Sequence, residues 1–119
     1  MNRTDDTNAV KAVIANYIKG TANSDPDLLR SVFHKNAVMS GYLGLDMLLG
    51  NPEPFFQTIA QKKVGPDYEG EIVQISVTGR TAMASVVEDN LYDLSFVNTF
   101  HLLNLDGVWK ITSKLFHHD

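Results

Sequence analysis

An α+β fold is predicted by three observations. Apolar residues recur at helical spacing in the first half of the chain, and from Tyr68 onward they alternate. Late in the chain two runs rich in β-branched and aromatic residues, 96–105 and 108–117, flank the dipeptide Asp106-Gly107. Asp-Gly between such runs is a strong hairpin signal, because both central residues of a type I′ turn need a positive φ. Helices gathered early and long antiparallel strands late put three helices on one face of a curved, mostly antiparallel sheet.

The first helix is expected from about Asp5 to Lys19. Thr4 is the candidate cap, and Asp5 and Asp6 suit the positive end of the helix dipole. Val10, Val13, Ile14, Tyr17 and Ile18 form one apolar face, and Gly20 is placed to end the helix. Asp25-Pro26 opens a second, shorter helix with Leu28, Leu29, Val32 and Phe33 as its buried face. A first strand follows over Ala37 to Tyr42, and a short second one near Asp46 to Leu49, with Gly41, Gly44 and Gly50 at the bends. Asn51-Pro52 starts a third helix whose stripe is Phe55, Phe56, Ile59 and Ala60, ended by Gly65-Pro66. Four strands complete the order α-α-β-β-α-β-β-β-β, at about Tyr68–Thr78, Ala82–Asn90, Ser95–Leu105 and Val108–His117.

A two-residue loop at Asp106-Gly107 fixes a register, and residues directly opposite share a face. One face then holds Phe96, Asn98, Phe100, Leu102, Asn104, Trp109, Ile111, Ser113, Leu115 and His117, and its aromatics assign it to the helices. The other face mixes Lys110 and Lys114 with Val97, Leu103, Leu105 and Phe116. A half-apolar outer sheet surface often packs on another subunit, so a homodimer is expected through Val97, Leu103, Leu105, Lys110, Thr112 and Phe116. A turn at Gly79-Arg80 puts Val73, Ile75, Val77, Ala82, Ala84, Val86 and Glu88 on the inner face and Asp89 outside. A one-residue change in turn length swaps a strand's faces, so both acids stay in play.

At 119 residues the chain reads as one domain, 1–119, with 44% apolar and 20% charged residues, close to the globular average. The net charge of −4 and the absence of a basic run argue against nucleic acid as a partner. The chain has no cysteine, which excludes disulfides, thiolate-bound zinc and a thiol nucleophile. The polar, acidic start is unlike a secretory signal, and no apolar stretch approaches the roughly 20 residues needed to cross a bilayer. A soluble, cytoplasmic protein is the expectation. Four histidines without an HxxxH pair on a helix do not make a metal site, and no cofactor is implied.

Three stretches carry a family resemblance. They are Leu29 to His34 with Asn36-Ala37, the strand Glu71 to Gly79, and Leu102 to Ile111 with Lys114-Leu115-Phe116-His117. They resemble the "L…FH.xA", "I..I.V.G" and "LLK.DG.WKI..K.FH" segments of the putative lumazine-binding family. That family sits within the nuclear-transport-factor-2-like superfamily of ketosteroid isomerase, scytalone dehydratase and SnoaL-like polyketide cyclases. The resemblance implies a cone-shaped α+β barrel with a pocket between helices and concave sheet, and usually a dimer. The chain departs from the pattern at Lys35, where a proline is common, and at Asn98, where a carboxylate is common.

Inventory limits the chemistry. An isomerase-like site needs a carboxylate base and acidic donors for an enolate oxygen. The first strand has no carboxylate, and Arg3, Arg30 and Arg80 do not make an Asp-Arg-Asp network. Glu88 or Asp89 remains as a base and Tyr17 as a donor. Around a ligand the sequence suggests Tyr17, Phe33, His34, Tyr42, Phe56, Asn98, Trp109 and Ser113. Asn98 and Ser113 matter most, because polar groups on an apolar inward face need each other, a water or a ligand. His34 has a competing role, binding the last carbonyls of the second helix. The leading reading is a pocket protein for a small apolar or planar molecule. The alternatives are an enzyme of isomerase, dehydratase or cyclase type, and a dimeric interaction module.

Overall fold

The computed structural model describes residues 2–118. The elements are α1 (Arg3–Ala22), α2 (Pro26–Val32), β1 (Phe33–Leu43), β2 (Asp46–Gly50), α3 (Glu53–Gln61), β3 (Glu69–Thr78), β4 (Thr81–Leu91), β5 (Leu94–Leu105) and β6 (Val108–His118). The strands form one open sheet in the order β2-β1-β6-β5-β4-β3. Each pairing is antiparallel except β1 with β6, which is parallel. The three helices pack on this sheet, giving the α+β cone.

Local chemistry sets the helix ends: Asp25 caps α2 as expected, its Oδ1 accepting from the Leu28 amide at 3.1 Å, while other ends differ from the expected ones. Asn2, not Thr4, caps α1, its Oδ1 accepting from the Asp5 amide at 2.8 Å. Gly20 does not stop the helix. It is a contact point, where an added Cβ would sit 3.0 Å from the Leu29 side chain. The helix runs on to Ala22 and closes where Ser24 takes φ 50°, with the Asp25 amide on the Gly20 carbonyl and the Ser24 amide on that of Thr21. This pairing is a Schellman motif with serine in glycine's usual place. Phe33 belongs to β1 rather than to α2, because the chain is already extended there. The third helix ends at Gln61, before Gly65-Pro66, and Ala60 faces outward while Phe56 and Ile59 are buried.

The late hairpins follow turn chemistry. Asp106 and Gly107 have φ of 54° and 95°, and Leu105 pairs with Val108 across them. Thr78 pairs with Thr81 across Gly79-Arg80, and Leu91 with Leu94 across Tyr92-Asp93.

Bulges change the faces. On β3 the register slips between Ile72 and Gln74, so Val73 is exposed and Ile72 takes the inward place opposite Val86. On β6 the slip falls at Thr112, between the pairs Leu102–Ile111 and His101–Ser113. One extra residue inverts every side chain beyond it. Trp109 and Ile111 still point inward, but past Thr112 it is Lys114 and Phe116 that are buried, while Leu115 is exposed. Lys114 and Phe116 therefore do not belong to the outer face, and Ser113 and Leu115 do not belong to the inner one.

The core lies between the helices and the inner sheet face, built from Val10, Ile14, Tyr17, Leu29, Ile59, Phe100, Leu102 and Ile111, all at 1% exposure or less. At Gly41 β1 approaches β6 so closely that an added Cβ would meet the Phe116 carbonyl oxygen at 2.3 Å.

Candidate functional site

Glu88 points inward from β4 and is 1% exposed, despite its charge. Three elements supply its donors. Tyr17 of α1 reaches both carboxylate oxygens at 3.2 Å, and Tyr68, just before β3, donates to Oε2 at 2.5 Å. Asn98 of β5 donates its Nδ2 to Oε1. A buried carboxylate is tolerated only with such partners. Gly70, opposite Glu88 in the β3–β4 ladder, leaves the room: a Cβ there would come within 3.0 Å of the Tyr68 hydroxyl. Burial, and then the neighbouring Glu88 charge, push both tyrosines well above the usual phenol range.

Above this cluster the cone opens into a cavity of about 340 Å³. Its wall comes from the β1–β2 hairpin (Met39, Leu48), α3 (Phe55), the β4–β5 turn (Leu91) and β5–β6 (Phe96, Phe116). Among the described residues Lys114 is the one charged side chain in that wall. It is 2% exposed. Its Nζ lies 4.0 Å from the centre of the Phe55 ring, 5.0 Å from Tyr17 and 5.9 Å from Phe116. Ring faces stabilise an ammonium, but among the described residues it makes neither a salt bridge nor a hydrogen bond. Burial lowers its pKa to about 8, against an opposing pull from Glu88.

The site thus has two tiers: an apolar cavity with an amine at its floor, and beneath the amine a carboxylate held by two phenols and an amide. Tyr17 joins the tiers, bonding Glu88 with its hydroxyl and facing Lys114 with its ring.

The side chains expected around a ligand fall elsewhere. Tyr17 and Asn98 are in the lower tier, and neither contributes to the cavity wall. Phe33 and Phe56 form an edge-to-face core pair, with centroids 5.2 Å apart. Trp109 is also core, with its Nε1 buried and unpartnered. Tyr42 is exposed on the β1–β2 hairpin. His34 is half-buried at the start of β1, where its Nδ1 accepts from the Asn36 amide at 3.0 Å, so it does not bind the α2 carbonyls. Ser113 is turned away by the bulge and does not meet Asn98, whose partner is Glu88. Asp89 is exposed and accepts from the Ser95 hydroxyl at 3.0 Å.

Lys114 and Tyr68 escape a reading by strict alternation. The signal for Lys114 lies in β6 itself, where the bulky apolar positions change parity from Trp109 and Ile111 to Phe116. For Tyr68 it is Gly70, a glycine in a strand marking a close approach.

No helix among the described residues is long and apolar enough to cross a membrane. No cluster of three or more His, Asp or Glu side chains is arranged among them for a metal ion.

The chain belongs to the family described as "Putative lumazine-binding", whose model matches residues 5–117. It is 24% identical over 110 residues to aldolase FrzH of Cladobotryum sp, covering 92% of this chain and 88% of that protein. Among solved structures it resembles an NTF2-like protein of unknown function from Shewanella baltica OS155, with a TM-score of 0.92 and 23% identity over 100% of this chain and 98% of the other. An NTF2-like protein of unknown function from Methylobacillus flagellatus KT gives 0.91 and 28% over 99% and 95%.

Proposed function

We propose that the cone binds a small, mostly apolar molecule whose polar end rests against Lys114. The single observation that carries this reading is the apolar cavity of about 340 Å³ with a buried, unpaired amine in its wall. That volume lies at the lower end of the range of small-molecule sites generally. Thermal unfolding in the presence of benzaldehyde, benzoate and naphthalene tests it. A Tm rise that disappears in Leu48→Trp, which fills the cavity from its rim, is the expected result. No response to any of them, with the cavity closed in a crystal structure, contradicts it.

A second reading is an enzyme acting on a carbonyl compound. The observation that favours it is again Lys114, a nitrogen base lining a mostly apolar pocket, together with the aldolase relative. Within this reading Glu88 does not take a proton from the substrate directly, since Tyr17, Tyr68 and Asn98 occupy its oxygens. It acts as a fixed negative charge beneath the amine, with Tyr17 between them.

The outer sheet face supports a homodimer as a proposal. Val97, Leu103 and Leu115 are 45%, 40% and 54% exposed there. Leu115 takes the place expected for Phe116, and Lys110 is drawn aside to donate to the Ser31 carbonyl at the end of α2.

A further inference from the structure

We infer that Lys114 Nζ is a nucleophile that condenses with the carbonyl carbon of a small apolar aldehyde or ketone in the cavity, forming an iminium ion. This deepens the pocket reading and rests on it.

Three features of the geometry support the step. Lys114 lines the cavity, so a carbonyl compound held there lies against this side chain. Its neighbours are rings, at 4.0 to 5.9 Å, and not a carboxylate in ion-pair contact that would fix it as ammonium. Glu88, held in place by Tyr17, Tyr68 and Asn98, is a buried negative charge near enough to act on the Lys114 charge. The protonated Schiff base carries a positive charge that the neutral amine lacks, so this field favours the iminium over the neutral amine. The same rings that face the ammonium face the iminium.

The step balances without a redox partner. The nitrogen lone pair forms the C–N bond as the carbonyl π pair moves to oxygen, which takes up a proton. The nitrogen loses one proton, and the carbinolamine oxygen leaves as water with a further proton drawn from solvent at the cavity mouth. The sum is amine, carbonyl compound and one proton going to iminium and one water. The iminium then serves as an electron sink for bond making or breaking at the adjacent carbon.

An ordinary lysine has a pKa near 10.4 and is almost wholly protonated at pH 7, whereas a lysine titrating at about 8 is roughly one-tenth free base. Lys114 thus holds on the order of 100-fold more free amine than a surface lysine, partly offset by its lower basicity.

The test is reductive trapping on the intact wild-type protein. Benzaldehyde and sodium cyanoborohydride are added at pH 7, and the modified lysines are located by peptide mapping and mass spectrometry. Hydride transfer to the iminium carbon leaves a stable benzylamine. The expected result is one benzyl group on Lys114, formed at least about tenfold faster than on any other lysine and suppressed by at least about tenfold in Leu48→Trp. Labelling confined to surface lysines overturns the inference. If benzaldehyde nevertheless raises Tm in that case, the pocket reading survives and only the covalent step falls; if none of the three compounds raises Tm and the cavity is closed in a crystal structure, both fall. A Tm rise with benzoate and no trapping at Lys114 also overturns the inference, because the amine is then a charge for an anion.

Discussion

Lys114 holds its ammonium in the interior at a cost in stability. The drop from 10.5 to about 8 corresponds to roughly 3 kcal/mol of stability lost below pH 8 relative to the neutral amine. Replacement by Met fills the same channel and removes that cost, so Lys114→Met should raise stability at pH 7 by about 1–3 kcal/mol in urea unfolding. This is the sign expected where a site trades stability for function. The pH dependence follows from the same group. Between pH 8 and 10.5 the unfolded chain binds more protons than the folded one, so stability rises with pH across that window. Tyr17 and Tyr68 act in the opposite sense above pH 10, because the folded state keeps phenol protons that the unfolded chain releases. Denaturant titrations from pH 7 to 11 should therefore show a maximum near pH 9–10, and Lys114→Met should lose the rising limb.

Elements carry the difference between what was legible in the sequence and what was not. The strands, their order and the Asp106-Gly107 turn follow from alternation and turn chemistry, which are local. The inward place of Lys114 follows from one unpaired residue, Thr112, whose hydroxyl donates to the His101 carbonyl at 3.3 Å. The parity change between Ile111 and Phe116 is its one local sign, and Leu115 keeps the earlier parity, so alternation alone does not place the bulge. A bulge of this kind bends the strand and raises its twist. Of the expected ligand residues, Phe33, Phe56 and Trp109 fell into the core, Tyr17 and Asn98 onto Glu88 and Ser113 past the bulge, while Tyr42 lies exposed and His34 half-buried on β1. Gly41 is a point of close approach between β1 and β6. Gly41→Ala meets the backbone of Phe116 and cannot be relieved by a side-chain rotation. It should cost about 3 kcal/mol or more, read as a fall in Tm, whereas Gly50→Ala, with open space around the Cβ, should stay within about 1 kcal/mol.

At the scale of the whole molecule the sheet separates two surfaces with different chemistry. The concave side holds the buried charges Glu88 and Lys114 and the cavity above them; the convex side carries Val97, Leu103 and Leu115 beside Thr99 and His101. A dimer formed through the convex side leaves the cavity mouths free, because the mouth is built from the β1–β2 hairpin, α3 and the β4–β5 turn. If the proposed dimer forms through this face, Leu103→Glu should convert it to monomer by analytical ultracentrifugation without abolishing ligand-induced stabilisation. A wild-type protein that sediments as a monomer at high concentration would remove the dimer from the account.

The two tiers meet at a single titrating group, and its midpoint tests them together. Lysine-selective isotope labelling and NMR titration follow the Lys114 amine directly, with Lys114→Met to assign its resonance. The structure predicts a midpoint near 8, moving further down in Glu88→Gln as the counter-charge is lost. A midpoint near 10.4, unchanged by Glu88→Gln, would place the amine in water and contradict the site described above.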